Sequence, residues 1–198
     1  MKQNLAIFDL DGTLFDTSET NYKAYCQALE EYGVKLDRDY YLEKCSSLHY
    51  SQFLPIILGF KSGDIDDVHK RKKELYSSFL CESMINASLF CIISSIKKDY
   101  HIALATTASR RNTEDILSFW SKTELFELIV TQEDVVNVKP DPEGFIKTMT
   151  FFKISAMNTI IFEDSDVGVE AAKRSGASVY MLESPSFERF ESYRTNSI

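Results

Sequence analysis

Leu5-Ala-Ile-Phe-Asp9-Leu-Asp11-Gly-Thr-Leu14 drives an apolar run straight into two carboxylates one residue apart, with Gly12 and Thr13 behind them. Residues 5–9 fit a buried strand. Alternate side chains of a strand share a face, so Asp9 and Asp11 are expected to start out on the same side. Gly12 frees the backbone to turn where the strand ends. Two carboxylates crowded there repel each other unless a cation or a proton offsets them. An Asp-Gly turn closing a strand is commonplace, but Asp-x-Asp-Gly-Thr directly behind an apolar strand is far more specific.

The 198 residues leave room for one domain, or for a core domain with a modest insertion. A hydrophobic content of 44% with 26% charged residues fits a soluble globular chain. No apolar run approaches the roughly 20 residues needed to cross a bilayer. Met1-Lys-Gln-Asn leads into the first strand without a signal-type leader, so the expected setting is cytoplasmic, with no membrane partner. Cys26, Cys45, Cys81 and Cys91 form no Cys-x-x-Cys pair, which favours reduced thiols used as small core residues over a metal or disulfide role. The net charge of -8 argues against nucleic acid as a partner. It also means that any phosphate-binding site must bring its own positive field, from a divalent cation and a few well-placed Lys or Arg.

Beyond Asp16, where Thr17 or Ser18 is placed to cap a helix, Tyr22, Tyr25, Cys26 and Leu29 recur at helical spacing up to Gly33. Segments 39–45 and 52–58 are short and helix-like, although Pro55 suits only a first turn. Residues 64–82 predict one longer amphipathic helix with Ile65, Val68, Leu75, Phe79 and Leu80 inward. No convincing strand falls within 17–84. From about residue 88 helical stripes alternate with the strands 101–105, 128–131, 159–162 and 178–182, and the tail 186–198 reads as a short helix or a frayed end. Strands separated by helices of this length predict βαβ units and a parallel sheet covered on both faces. Binding then belongs at the carboxyl ends of the strands.

The other strand ends carry groups suited to phosphate and metal. Strand 101–105 runs into Thr106-Thr107, which offer hydroxyls and backbone N–H groups near the mouth of a helix. After 128–131 comes Val138-Lys139-Pro140-Asp141-Pro142, in which two prolines stiffen the loop and Pro142 is placed to start a helix. A solvated loop lysine is the ordinary account of Lys139, and an inward ammonium balancing phosphate or carboxylates is the other. Strand 159–162 ends in Glu163-Asp164-Ser165, followed by Gly168 and Ala171-Ala172. Adjacent carboxylates suit Mg²⁺, an oxygen-seeking ion, while Asp164 or Ser165 also suits a helix cap.

Asp-x-Asp, Thr, Lys and Glu-Asp at four successive strand ends resemble the four motifs of the haloacid dehalogenase-like hydrolase superfamily, in identity, order and strand context along the whole chain. The runs Ile102–Thr106, Lys139–Pro142 and Phe162–Ser165 with Gly168 and Ala171 are most similar to the β-phosphoglucomutase-like branch. The resemblance implies a Rossmann-like three-layer α/β/α core at 1–16 and 85–198, with a small all-helical cap at 17–84 inserted after the first strand. It implies Asp9 as the nucleophile that forms an aspartyl-phosphate and Asp11 as the acid/base. Mg²⁺ would be held by Asp9, Asp164, Glu163 and the Asp11 carbonyl, and phosphate by Gly12, Thr106, Thr107 and Lys139. The dehalogenases and phosphonatases of the superfamily lack an Asp at the position of Asp11, so Asp11 points to phosphate esters.

Cap residues set specificity in this superfamily. The mutase has a His where this chain has Asn21, and an Arg in a substrate loop that here reads Cys45-Ser-Ser-Leu-His49-Tyr50. His49 and Lys72 are the candidate cap contacts, with a solvated or core-edge histidine weighed against the first. For the basic run His69-Lys-Arg-Lys-Lys73 a solvated helix face is the leading account. The expected activity is a Mg²⁺-dependent phosphatase of a small phosphorylated metabolite, a sugar phosphate among the candidates. A phosphomutase or phosphotransferase is the alternative, and a non-catalytic binding protein the third. A monomer is the expected state, with a dimer the other option.

Overall fold

The structure, a computed structural model, describes residues 2–46, 48–59 and 65–189. The chain forms two compact units, Met1–Asp16 with Met84–Ile198, and Thr17–Ser83. In chain order, β1 (Asn4–Phe8) and β2 (Phe15–Asp16) precede α1 (Ser18–Glu30), α2 (Arg38–Lys44), α3 (Tyr50–Leu58) and α4 (Ile65–Leu75). A 3₁₀ stretch, Tyr76–Glu82, leads to β3 (Met84–Ile85), α5 (Ala87–Ile96), β4 (Tyr100–Ala105), α6 (Arg110–Phe119) and β5 (Leu128–Val130). Then come α7 (Glu143–Phe152), β6 (Thr159–Glu163), α8 (Asp166–Ser175), β7 (Ser178–Met181) and β8 (Glu188–Arg189).

The first unit is an α/β fold built on a parallel sheet in the order β5-β4-β1-β6-β7. Leu5, Ala6, Ile7 and Phe8 are all fully buried, so both faces of β1 are covered and its sequence is continuously apolar rather than alternating. Leu5, Ile7, Ala103, Ala105 and Ile161 pack with Phe145 and Met149 of α7 and with Ala171 and Ala172 of α8. The small alanines let α8 approach the sheet closely. From β1 the chain builds outward through β4 to β5, then returns to the other side of β1 for β6 and β7. The order therefore reverses at β1, and the crevice beyond its carboxyl end is the switch point where α/β sheets bind ligands. Asp9 is the first residue past that end.

Beside this sheet, β2, β3 and β8 make a small antiparallel sheet, with Phe15 opposite Ile85 and Met84 opposite Arg189. Two-residue strands carry no periodicity, which is why none was legible at 84 or in the tail. The tail reading of a helix fails at Glu188–Arg189, and residues 190–198 lie outside the described residues. Cys81 and Cys91 are exposed, so the expected core role holds for Cys45 and not for them.

In the second unit Ala24, Tyr25, Ala28 and Leu29 of α1 share a core with Tyr41, Phe53, Leu54, Val68 and Leu75. Helix α3 runs on past Pro55, which lies beyond its first turn and leaves one ladder bond unmade. The helix expected to reach residue 82 ends at Leu75 and tightens into the 3₁₀ stretch, which contains the weak helix formers Ser77 and Ser78. The basic run is not one solvated face. Val68, Lys72 and Leu75 are all buried, because a spacing of four and then three residues puts Lys72 on the apolar stripe of α4. Arg71, by contrast, reaches outward to Glu31 at 2.8 Å.

Candidate active site

Asp9 stands just beyond β1, its N–H donating to the Phe162 carbonyl at 3.0 Å. The strand therefore stops one residue short of the expected end, and Asp11 lies in the turn rather than on a shared strand face. That turn is closed from within: Gly12 N donates to Phe15 O at 2.7 Å, and Leu14 N and Phe15 N both donate to Leu10 O at 3.0 Å. Gly12, at φ +83°, takes the left-handed backbone that the closure needs.

Ligand atoms of Asp9, Glu163 and Asp164 lie within 4.8 Å of one another, a three-carboxylate group that does not include Asp11. Lys139 enters the group from the loop before α7. Its ammonium lies 2.5 Å from Asp9 Oδ1, 2.5 Å from Glu163 Oε1 and 3.2 Å from the Ala105 carbonyl, one partner for each of its three protons. The solvated reading of Lys139 is thereby excluded. The loop that delivers it is braced by Glu143, whose carboxylate accepts from Val136 N at 3.0 Å and Asn137 N at 2.9 Å. These bonds hold the Glu143 carboxyl down at about 2.

Glu163 is the most firmly held of the three. Its Oε2 accepts from Asp164 N at 3.0 Å, Ser165 N at 3.1 Å and Ser165 Oγ at 3.0 Å, while Lys139 takes Oε1. Ser165, not Asp164, caps α8, accepting from Gly168 N at 3.0 Å. Asp164 Oδ1 accepts from the Thr13 hydroxyl at 2.8 Å. Both carboxylates rest on glycines. A Cβ on Gly12 would meet Asp164 Oδ2 at 2.0 Å, and one on Gly168 would meet Glu163 Oε1 at 1.9 Å.

Three buried or half-buried carboxylates face one ammonium, so with all groups ionised the site carries two excess negative charges. The titration behaviour follows. Burial pushes the Asp9 carboxyl well up, against the pull of Lys139, and the Glu163 charge pushes it further. Burial likewise lifts Asp164 to about 6, the Thr13 hydrogen bond opposing it. Burial works against the Lys139 charge, but Asp9 and Glu163 together hold its pKa above the ordinary lysine range. One divalent cation would cancel the excess, and an all-oxygen donor set suits Mg²⁺.

Thr106 is buried, and its Oγ accepts from Ala108 N at 3.0 Å. Helix α6 begins only at Arg110, capped by Ser109, so the two threonines precede the helix rather than forming its first turn. Thr106, Thr107 and Lys139 border one shallow pocket, with Val130, Asn137 and Phe145 also in its wall.

The two residues singled out in the helical unit have local partners of their own. His49 caps α3 in a reciprocal box with Gln52, and its Nδ1 lies 2.8 Å from Ser51 Oγ. Lys72 donates to Asn21 Oδ1, and its ammonium lies 5.2 Å and 5.0 Å from the ring centres of Tyr25 and Tyr76. Sequence reasoning did not single out Thr13 or assign Gly168 a task. The Asp-Gly-Thr spacing was the one signal for Thr13.

A profile of the haloacid dehalogenase-like hydrolase family matches residues 6–182. The chain is 30% identical over 178 residues to a phosphorylated carbohydrates phosphatase of Thermotoga maritima, covering 86% of this chain and 80% of that one. It is 26% identical over 175 residues to the fructose-1-phosphate phosphatase YqaB of Escherichia coli K12, covering 86% and 91% of the two chains. Among solved structures, CbbY from Rhodobacter sphaeroides in complex with phosphate superposes with a TM-score of 0.78 at 26% identity, over 94% of this chain and 88% of the other. The chain belongs to the haloacid dehalogenase-like hydrolase family.

Proposed function

We propose that this protein is a Mg²⁺-dependent phosphatase that hydrolyses a small phosphorylated metabolite, of the sugar phosphate class, through an aspartyl-phosphate on Asp9. The observation that carries the reading is the charge of the site: a buried Asp9 carboxylate beside Glu163, Asp164 and a single ammonium. Such an arrangement is costly unless a divalent cation completes it. The names of the phosphatase relatives supply the substrate class.

In this reading Asp9 attacks phosphorus in line with the leaving oxygen. Asp11 gives that oxygen a proton, then takes one from the water that cleaves the acyl phosphate. Lys139 lies against Asp9, where its charge offsets the phosphoryl oxygens arriving there. Thr106, its oxygen pinned by Ala108 N, has its own hydroxyl proton to give to one of those oxygens. Asp9 and Asp164, with Glu163 and the Asp11 carbonyl, would hold Mg²⁺, which lets an anionic ester approach an ionised nucleophile. The helical unit serves as a substrate cap, with Lys72 and His49 as its candidate contacts.

A panel of phosphorylated sugars assayed for inorganic phosphate, with Mg²⁺ and with EDTA, tests this. Release that requires Mg²⁺ and no added acceptor supports the phosphatase. Release that persists in EDTA refutes the metal assignment, and turnover only with an added acceptor points to a phosphotransferase.

A further inference from the structure

We propose that Asn86 is a positioning residue for the active site, acting through Thr13 on Asp164; the inference rests on the metal-site reading above. Asn86 follows β3 directly, is 3% exposed, and belongs to none of the four strand-end motifs. Its hydrogen bonds reach both the turn and α5. Its N–H donates to the Leu14 carbonyl at 2.9 Å, its Nδ2 donates to the Thr13 carbonyl at 3.1 Å, and its Oδ1 accepts from Leu89 N at 3.2 Å, capping α5. The turn that bears Asp11 and Gly12 is thus tied at two successive carbonyls by a residue from a distant part of the sequence.

Thr13 transmits the tie. It is fully buried, and both its polar oxygens are engaged: the carbonyl with Asn86, the hydroxyl with Asp164 Oδ1 at 2.8 Å. Asp164 has little freedom to adapt, because its other oxygen already rests on the Gly12 Cα. A shift of Thr13 therefore shifts Asp164 relative to Asp9, and with it the fit of the carboxylates to a cation. A helix cap alone would not require asparagine, since Asp and Ser cap equally well. Only the amide both accepts from Leu89 and donates to Thr13 in one orientation. An aspartate would turn a second acceptor onto the Thr13 carbonyl, and a serine is one atom too short to reach it.

The test uses Asn86→Ser and Asn86→Asp, both of which retain the cap, together with Thr13→Val. Calorimetric Mg²⁺ affinity of the full-length protein is the readout, with thermal melting and phosphate release alongside. In both Asn86 variants Mg²⁺ binding is expected to weaken about tenfold, the scale of outer-shell substitutions at metal sites. Release should fall with it at a fixed subsaturating Mg²⁺ concentration and recover as Mg²⁺ is raised. A purely structural loss would not be recovered by metal in this way. In the Thr13→Val background, Asn86→Ser should produce little further loss, because the two act in series. Unchanged Mg²⁺ affinity in the Asn86 variants, or the same loss with and without the Thr13 hydroxyl, overturns the inference. Should Asn86→Ser fail to fold, Asn86→Asp carries the same comparison. A wild-type protein that binds no Mg²⁺ overturns the metal-site reading itself, and this inference with it.

Discussion

The carboxylate of Glu163 lies against the Cα of Gly168, so close that an added Cβ would meet Oε1 at 1.9 Å and Cδ at 2.0 Å. The same carboxylate holds the Lys139 ammonium at 2.5 Å. Gly168→Ala should therefore act beyond its own position, by displacing Glu163 and loosening Lys139. Overpacking of this kind costs about 1–3 kcal/mol. For a chain of this size that lowers the melting temperature by roughly 2–4 °C per kcal/mol. Phosphate release should fall by more than about tenfold, the outer-shell scale, and a melting curve with initial rates checks both. Wild-type rates would mean that the start of α8 gives way instead of Glu163.

Among the described residues Lys139 is the one cation set against the three carboxylates, so Lys139→Met should destabilise the metal-free protein strongly. Removing one partner of a buried ion pair typically costs about 3–5 kcal/mol, because the remaining charge is left uncompensated. In the proposed reading Mg²⁺ would supply positive charge at the same place. Its addition should raise the melting temperature of Lys139→Met more than that of the wild type, while phosphate release stays lost. Equal shifts in the two proteins would separate Lys139 from the metal site.

Much of this arrangement was legible from the sequence because it is local. A carboxylate or threonine just past an apolar run marks a strand end, a lysine between prolines marks the loop after β5, and the four in order pointed to both the α/β core and the candidates Asp9, Thr106, Lys139 and Asp164. Partnerships outside those four motifs were not legible. Nothing in Met84-Ile-Asn86 announces a bond to Thr13, and two-residue strands such as β8 have no pattern to detect. The basic run 69–73 suggests a solvated face by its charge, whereas the place of Lys72 in the helical stripe decides its burial. Gly168 carried its reason in a carboxylate five residues away.

The metal reading has a pH signature. Burial raises Asp164 to about 6, so below that pH the carboxyl carries a proton that a cation must displace. The rise in melting temperature on adding Mg²⁺ should be larger at about pH 7.5 than at about pH 5, since ligands bind metal deprotonated. Melting curves at the two pH values, each with Mg²⁺ and with EDTA, provide the comparison. A shift independent of pH would remove Asp164 from the ligand set.

A second pH effect belongs to the helical unit. His69 Nδ1 lies 2.7 Å from the Tyr25 hydroxyl, and the Tyr50 ring stacks on its imidazole at 3.7 Å and 5°. Burial, then the charges of Lys73 and Lys72, lowers the His69 pKa from 6.5 to about 3. Between those values the unfolded chain binds the proton that the folded chain refuses. The stability this group contributes is therefore fully present above 6.5 and is lost as pH falls toward 3. The melting-temperature advantage of wild type over His69→Gln should narrow steadily as pH is lowered through that window. An advantage that stays constant or widens would contradict the neutral, buried imidazole.

The central claim is that Asp9 is the nucleophile of a phosphoryl transfer. Asp9→Asn keeps the side-chain shape and removes the attacking carboxylate. The direct measurement is phosphate release by this variant from a phosphorylated sugar that the wild type hydrolyses with Mg²⁺, with circular dichroism to confirm the fold. The account predicts no release above the uncatalysed background from a folded protein. Release at a rate comparable to wild type would contradict it.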